Sequence, residues 1–177
     1  MDERIDKLTA EQKGQLGFQA FLQGDDEYAA VMLTMSIEEL RERAGEDIYY
    51  TLCLTGLGQV RLNQERLEEA EALFQEALSH YQVSFKDDLF GRFSTLCYLG
   101  SVRSQKCLYD QARLFYERAL DIGEAILAGE PVVLSHACLE GYADVLRRLN
   151  LDAEAQTVED RIKAINAVND LDQTENG

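Results

Sequence analysis

A pattern of small and apolar residues returns along this chain about every 42 residues, within the range of periods that marks a stacked-repeat architecture. Leu57-Gly58 is followed by Ala70, Phe74 and Ala77-Leu78. Leu99-Gly100 is followed at the same intervals by Ala112, Tyr116 and Ala119-Leu120. Fainter copies flank these two. Leu16-Gly17 precedes Ala29, Leu33 and Ile37, while Tyr142-Ala143 precedes Ala155, after which Glu159 stands where the central copies place an aromatic ring. In such a chain each unit buries its apolar face only against its neighbours. The product is an extended surface, which bounds the function before any single residue is considered.

The periodicity within each copy is helical. Thr9-Ala10-Glu11-Gln12 fits a capping box and predicts a helix start near residue 10. Short polar breaks fall at Gly24-Asp25-Asp26, Asn63-Gln64-Glu65, Gln105-Lys106-Cys107 and Leu149-Asn150-Leu151. They alternate with a second set at Arg43-Ala44-Gly45-Glu46, Lys86-Asp87-Asp88 and Ala128-Gly129-Glu130-Pro131. The breaks predict eight helices in four pairs, near 10–23 and 26–43, 47–63 and 66–84, 89–105 and 109–128, 132–149 and 152–168. Repeats then occupy 10–46, 47–88, 89–131 and 132–168 of a single domain spanning 1–168, with a polar, frayed tail over 169–177.

A formal charge of −16, heavier at the ends than in the middle, makes phosphate backbones and anionic lipid surfaces poor partners. Aromatic residues are not interleaved with basic ones, as nucleic-acid binding would want. The simplest role of the charge is solubility. No apolar leader opens the sequence, and no stretch approaches the roughly 18 apolar residues of a membrane span. Cys53, Cys97, Cys107 and Cys138 are widely separated, contain no C-x-x-C, and are expected on helices as free thiols in a reducing compartment. These features predict a cytoplasmic protein.

The Leu-Gly, Ala, aromatic, Ala-Leu pattern within helix pairs resembles the tetratricopeptide repeat. The resemblance covers about residues 10–168 and is strongest over 51–121. It implies an all-α, right-handed α-α superhelix of four antiparallel helix pairs. It also implies packing roles: Gly17, Gly58, Gly100 and Ala143 let the first helix of a pair approach the second, as do Ala29, Ala70, Ala112 and Ala155 from the other side. Phe74 and Tyr116 fill the space between, backed by Ala77 and Ala119. Leu54, Leu96 and Leu139 recur four residues before the small residue, and Val60, Val102 and Val145 two after it, whereas Lys13 and Gln19 break both rules in the first copy. The usual repeat has about 34 residues and a terminal proline, so this chain is similar to the longer kinesin light chain-like variant, with roughly 12 Å more helix per repeat.

In that family the first helix of each pair lines a concave groove. The implied lining is Glu11, Gly14, Phe18, Phe21 and Leu22; then Leu52, Thr55, Gln59, Leu62 and Asn63; then Ser94, Cys97, Ser101, Ser104 and Gln105; and last Ala137, Glu140, Asp144, Arg147 and Arg148. Such a groove is apolar at one end, small and polar in the middle, and charged at the other. Phe18 and Phe21 would anchor an apolar side chain, and Arg147-Arg148 would meet a carboxylate. Two alternatives stay open. Phe18, Phe21 and Leu22 pack under the N-terminal segment, or Arg147-Arg148 are solvated or paired with Asp144 or Asp152. The Lys and Asn clamp by which some relatives grip a terminal carboxylate is expected to be absent, since only Asn63 is of the right type.

Catalytic and metal-binding patterns are not apparent in the sequence. His80 and His136 stand apart from any H-x-x-x-H or H-E-x-x-H and are expected at helix surfaces. Asp25-Asp26, Asp87-Asp88 and Glu68-Glu69 fit solvated helix starts. The expectation is a non-catalytic, cofactor-free module that binds a protein or peptide as an adaptor or chaperone-like factor. The alternatives are a regulatory subunit of an enzyme or transcription factor, and a solenoid that self-assembles weakly through its ends.

Overall fold

The structure, a computed structural model, describes residues 5–43, 46–126 and 136–175. Within them the chain forms eight α-helices: α1 (Ala10–Leu22), α2 (Asp26–Leu40), α3 (Ile48–Asn63), α4 (Leu67–Val83), α5 (Leu89–Gln105), α6 (Tyr109–Ile126), α7 (His136–Arg148) and α8 (Asp152–Glu175). They stack as four antiparallel pairs in a right-handed α-α superhelix. Successive pairs pack α2 on α3, α4 on α5 and α6 on α7. α2 closes in a short 3-10 turn over Arg41–Arg43, and α8 continues to Glu175, beyond the tail expected from 169. The helix start expected at 132 and the break at Ala128–Pro131 lie outside the described residues.

Local chemistry sets the helix ends. Thr9 and Gln12 form the capping box, with Thr9 N–H donating to Gln12 Oε1 at 3.0 Å and Gln12 N–H to Thr9 Oγ1 at 3.3 Å. Asp25, Asp47 and Asp88 accept from the backbone N–H groups of Tyr28, Tyr49 and Gly91 at 3.0, 2.9 and 2.8 Å, satisfying donors the first helical turn leaves unpaired. The turn inside each pair is the same device four times. Gly24, Glu65, Cys107 and Asn150 take φ of 79, 58, 58 and 60°. The next N–H in each case closes onto the preceding helix: Asp25 to Ala20, Arg66 to Arg61, Leu108 to Arg103 and Leu151 to Leu146, each at 2.9 Å. This is the Schellman closure, whose left-handed position favours glycine. Only the first repeat has one there.

Every residue assigned a packing role is buried: Gly17, Ala29, Gly58, Ala70, Phe74, Ala77, Gly100, Ala112, Tyr116, Ala119, Ala143 and Ala155. The small residue of each first helix meets the side chain sixteen positions on, giving Gly17 against Leu33, Gly58 against Phe74 and Gly100 against Tyr116. In the fourth copy that side chain is Glu159, which accepts from Arg147 Nε at 2.8 Å. Further rings cross to the next repeat. Phe18 lies against Gly56, Tyr81 against Gly91, and Tyr116 also against Gly141. Lys13 departs from the Leu rule without leaving the core. It is 3% exposed, with its stem in the leucine position and its ammonium paired to Glu39 of α2.

Two expectations about the cysteines are corrected. Cys97 of α5 and Cys138 of α7 form a disulfide, with Cα atoms 5.5 Å apart and 41 residues between them in sequence, while Cys53 and Cys107 are free. The pairing arises where the first helices of adjacent repeats face each other, a relation that C-x-x-C spacing does not report. Cys107 stands in the left-handed turn position after α5, and not on a helix.

Candidate interaction groove

The first helices α1, α3, α5 and α7 present one face on which two clefts adjoin. The larger, about 360 Å³, is lined by Leu62 of α3, by Phe90, Phe93, Ser94, Cys97, Tyr98 and Ser101 of α5, by Tyr116 of α6, and by Ala137, Cys138 and Gly141 of α7. The smaller, about 250 Å³, is lined by Phe18, by Leu52, Thr55, Gly56 and Gln59 of α3, by Tyr81 of α4, and by Asp88, Phe90, Gly91, Ser94 and Tyr98. Phe90, Ser94 and Tyr98 belong to both, so the two clefts form one trough whose lining draws on all four repeats. Neither lining contains a lysine or arginine, and Asp88 is its one ionisable carboxylate.

The floor is made by second-helix tyrosines that reach through the gaps left by glycines. Tyr81 and Tyr116 are buried, and burial pushes each phenol up to about 12. Thr55 beside Tyr81 and Ser101 beside Tyr116 act in the opposite direction by hydrogen bonding. Tyr98 stacks on Phe74 with ring centroids 5.1 Å apart and planes 14° from parallel, which fixes the ridge between the clefts. Phe90 at the start of α5 is 65% exposed, a large apolar surface beside both clefts.

Of the groove residues named from sequence, the trough brings together Phe18, Gln59, Leu62 and Ser101, with Leu52, Thr55, Ser94, Cys97 and Ala137 beside them. Phe21 packs against the N-terminal core, Leu22 is 84% exposed, and Asn63, Ser104 and Gln105 line neither cleft. Asp144, Arg147 and Arg148 lie at the surface beyond the trough, paired among themselves and with α8. Arg148 faces Asp144 at 3.5 Å, and Arg147 faces Glu159 at 2.7 Å and Asp152 at 3.7 Å. The two histidines are half-buried: His80 packs edge-on to Tyr50 at 5.3 Å, and His136 meets Glu140 at 3.1 Å and Asn166 at 2.9 Å.

Phe90 and Tyr98 were missed. Their signal was present, because Phe90, Ser94, Cys97 and Ser101 stand at helical spacing on one face of α5. The offsets carried over from the family reach only six residues before Gly100, and Phe90 lies ten before it.

Among the described residues, no cluster of three or more His, Cys, Asp or Glu side chains could hold a metal, and no helix is long and apolar enough to cross a membrane.

Antiparallel helix pairs, stacked with small residues at fixed offsets and a trough along their first helices, define a helical-repeat solenoid. The tetratricopeptide-repeat profile matches residues 50–125, the second and third copies. Over those residues the chain matches the tetratricopeptide repeat, a family whose members generally mediate protein–protein interaction. In fold it is similar to BtubC (BKLC) from P. vanneervenii, with TM-score 0.80 and 21% identity over 89% of this chain and 63% of that one. It is also similar to a putative kinesin light chain from Podosopora anserina with nearly identical TPR-like repeats, at TM-score 0.72, 13% identity, and 91% and 76% coverage. Aspartyl phosphate phosphatase F from Bacillus subtilis shares the fold at TM-score 0.76 and 17% identity, with 93% of this chain aligned to 41% of that one. The chain thus spans less than two thirds of BtubC. No curated protein matches it in sequence.

Proposed function

We propose that this chain is a non-catalytic adaptor or chaperone-like module that binds an apolar segment of a partner protein in the trough formed by α1, α3, α5 and α7. The observation that carries the reading is Phe90, whose ring stands 65% exposed beside two adjoining clefts that contain no cation. Burying such a ring against a partner's side chain returns about 1.5–3 kcal/mol, the scale of an anchoring contact. Small hydroxyls at Ser94, Ser101 and Thr55 leave room for that side chain and offer bonds to its backbone. A cytoplasmic setting belongs to the same proposal.

The test is affinity capture from the native lysate with wild type, Phe90→Ser, and Leu114→Ser as a control on an exposed residue of α6, after equal helicity is confirmed. A protein retained by wild type and the α6 variant but lost by Phe90→Ser supports the groove. Equal retention by all three moves the site away from the trough and overturns the reading.

A further inference from the structure

We propose that Cys97 and Cys138 are a reversible thiol–disulfide switch in the wall of the larger cleft. Oxidised, they lock α7 to α5; reduced, they leave α7 free to shift against α5 and widen the cleft. The proposal stands on the cysteine geometry and does not depend on what fills the groove.

The register of the repeats places the pair. Cys97 lies three residues before Gly100, and Cys138 five before Ala143. These two offsets face each other where first helices of adjacent repeats meet. At the first such meeting they are Gly14 and Cys53, and a Cβ added to Gly14 would stand 3.0 Å from Cys53 Sγ. At the second they are Thr55 and Thr95. The third is the one meeting of described first helices at which both positions carry sulfur. The bridge therefore joins the third repeat to the fourth, and the fourth pair lacks the ring that the central copies place between their helices. Ala143 has no ring opposite it, and Glu159 in that place turns to Arg147.

The pair is reachable from solvent. Both cysteines line the cleft, with Cys97 at 9% exposure and Cys138 at 2%. A small thiolate entering the cleft meets Cys97 first. Attack on Cys97 Sγ forms a mixed disulfide there and expels Cys138 as a thiolate, which takes a proton. A second reductant thiol then attacks the mixed disulfide, releasing the reductant's disulfide and the Cys97 thiol. Two electrons and two protons reach the protein. The reverse reaction uses a small dialkyl disulfide such as glutathione disulfide as oxidant and returns two small thiols. In a reducing compartment a bridge of this kind forms transiently, as redox-responsive bridges do, and not as a permanent staple.

The experiment uses the full chain equilibrated in glutathione buffers of graded ratio, quenched with iodoacetamide and weighed by mass spectrometry. Hydrogen exchange of residues 136–148 is followed in the two end states. Expected is a titration between bridged and dithiol forms at unchanged helicity, with α7 amides exchanging at least tenfold faster in the dithiol form. Cys97→Ala/Cys138→Ala should exchange like the dithiol form under both conditions. Thr55→Cys/Thr95→Cys should acquire a second bridge under the same oxidant, because its register is equivalent. Failure of the native pair to oxidise in the folded chain overturns the proposal. So does α7 exchange that is the same in both states, or a bridge that yields to reductant only after global unfolding.

Discussion

Gly58 of α3 and Phe74 of α4 are packed so closely that a methyl group on Gly58 would lie 2.6 Å from the ring. Phe74 is fully buried and its ring stacks on Tyr98, so it has nowhere to retreat. Gly58→Ala gains about 1 kcal/mol of helix propensity and incurs overpacking of about 1–3 kcal/mol. Because the buried, stacked ring cannot yield, overpacking at the upper end of that range is expected, a net loss of up to about 2 kcal/mol in urea unfolding, and Phe74→Leu should soften it, making the double variant less destabilised than the sum. An alanine variant as stable as wild type would show that the ring is not seated on the backbone.

The four intra-pair turns predict changes of opposite sign. Glu65 holds a left-handed conformation at φ 58° with a β-carbon, a strain of about 1–2 kcal/mol that glycine lacks. Against this stands the greater freedom glycine has when unfolded, so Glu65→Gly should stabilise by about 0.5 kcal/mol. Gly24→Ala, at φ 79°, should destabilise by about 1 kcal/mol. Paired thermal melts decide the matter, and two shifts of the same sign would refute the turn assignment.

Lys13 and Glu39 form a half-buried ion pair, with the ammonium end enclosed and the carboxylate 44% exposed. Glu39→Ala strands the ammonium and should lower stability by about 1–3 kcal/mol, discounted from a fully buried pair because Glu39 stays wet. Lys13→Leu restores the residue used at Leu54, Leu96 and Leu139 and should fall within about 1 kcal/mol of wild type, or above it. Chemical denaturation of both variants tests the asymmetry, which vanishes if Lys13 is merely solvated.

The buried phenols make the fold sensitive to alkali. Tyr81 and Tyr116 ionise near 12 when folded, against 10.0 for an ordinary tyrosine. Between those values the unfolded chain has already lost these protons and the native chain keeps them. Stability therefore falls as pH rises through that window and is unaffected below it. Tyr81→Phe should flatten the fall. Ultraviolet titration of the folded protein should show these phenols ionising together with loss of helicity, and ionisation near 10 with helicity intact would contradict it.

The two free thiols should differ in reactivity. Cys107 is exposed, whereas burial pushes Cys53 up to about 11 while Ser36 beside it acts the other way. With the bridge oxidised, iodoacetamide at neutral pH should add once to the folded chain, at Cys107. Fast modification of Cys53 would place it at an open surface.

The helices and their pairing were legible because the offsets that matter lie within one repeat. Gly58, Ala70 and Phe74 announce their own contact through spacing. What escaped notice depends on the relation between repeats. The facing of Cys97 and Cys138 follows from how one first helix lies beside the next, and no single copy contains it. Phe90 escaped for a related reason, since it lies ten residues before Gly100, beyond the reach of the offsets carried over from the family, and α5 extends far enough to carry it. The pairing of Arg147 and Arg148 with Asp152 and Asp144 was one of the readings the sequence left open, whereas Glu159, which engages Arg147 from the place of an aromatic, is recognised only once α7 and α8 are packed.

The rings of Phe18, Tyr81 and Tyr116 each rest on a glycine of the following repeat, so neighbouring repeats touch through main chain as well as through side chains. Contact of that kind leaves little to adjust. A methylene lost from one side chain can be made good by another, but a peptide plane can move only with its helix. The bend of the trough is therefore inherited from backbone geometry, and exchanges among Ser94, Ser101 and Thr55 would alter which guest is preferred while leaving the curve of the seat as it is.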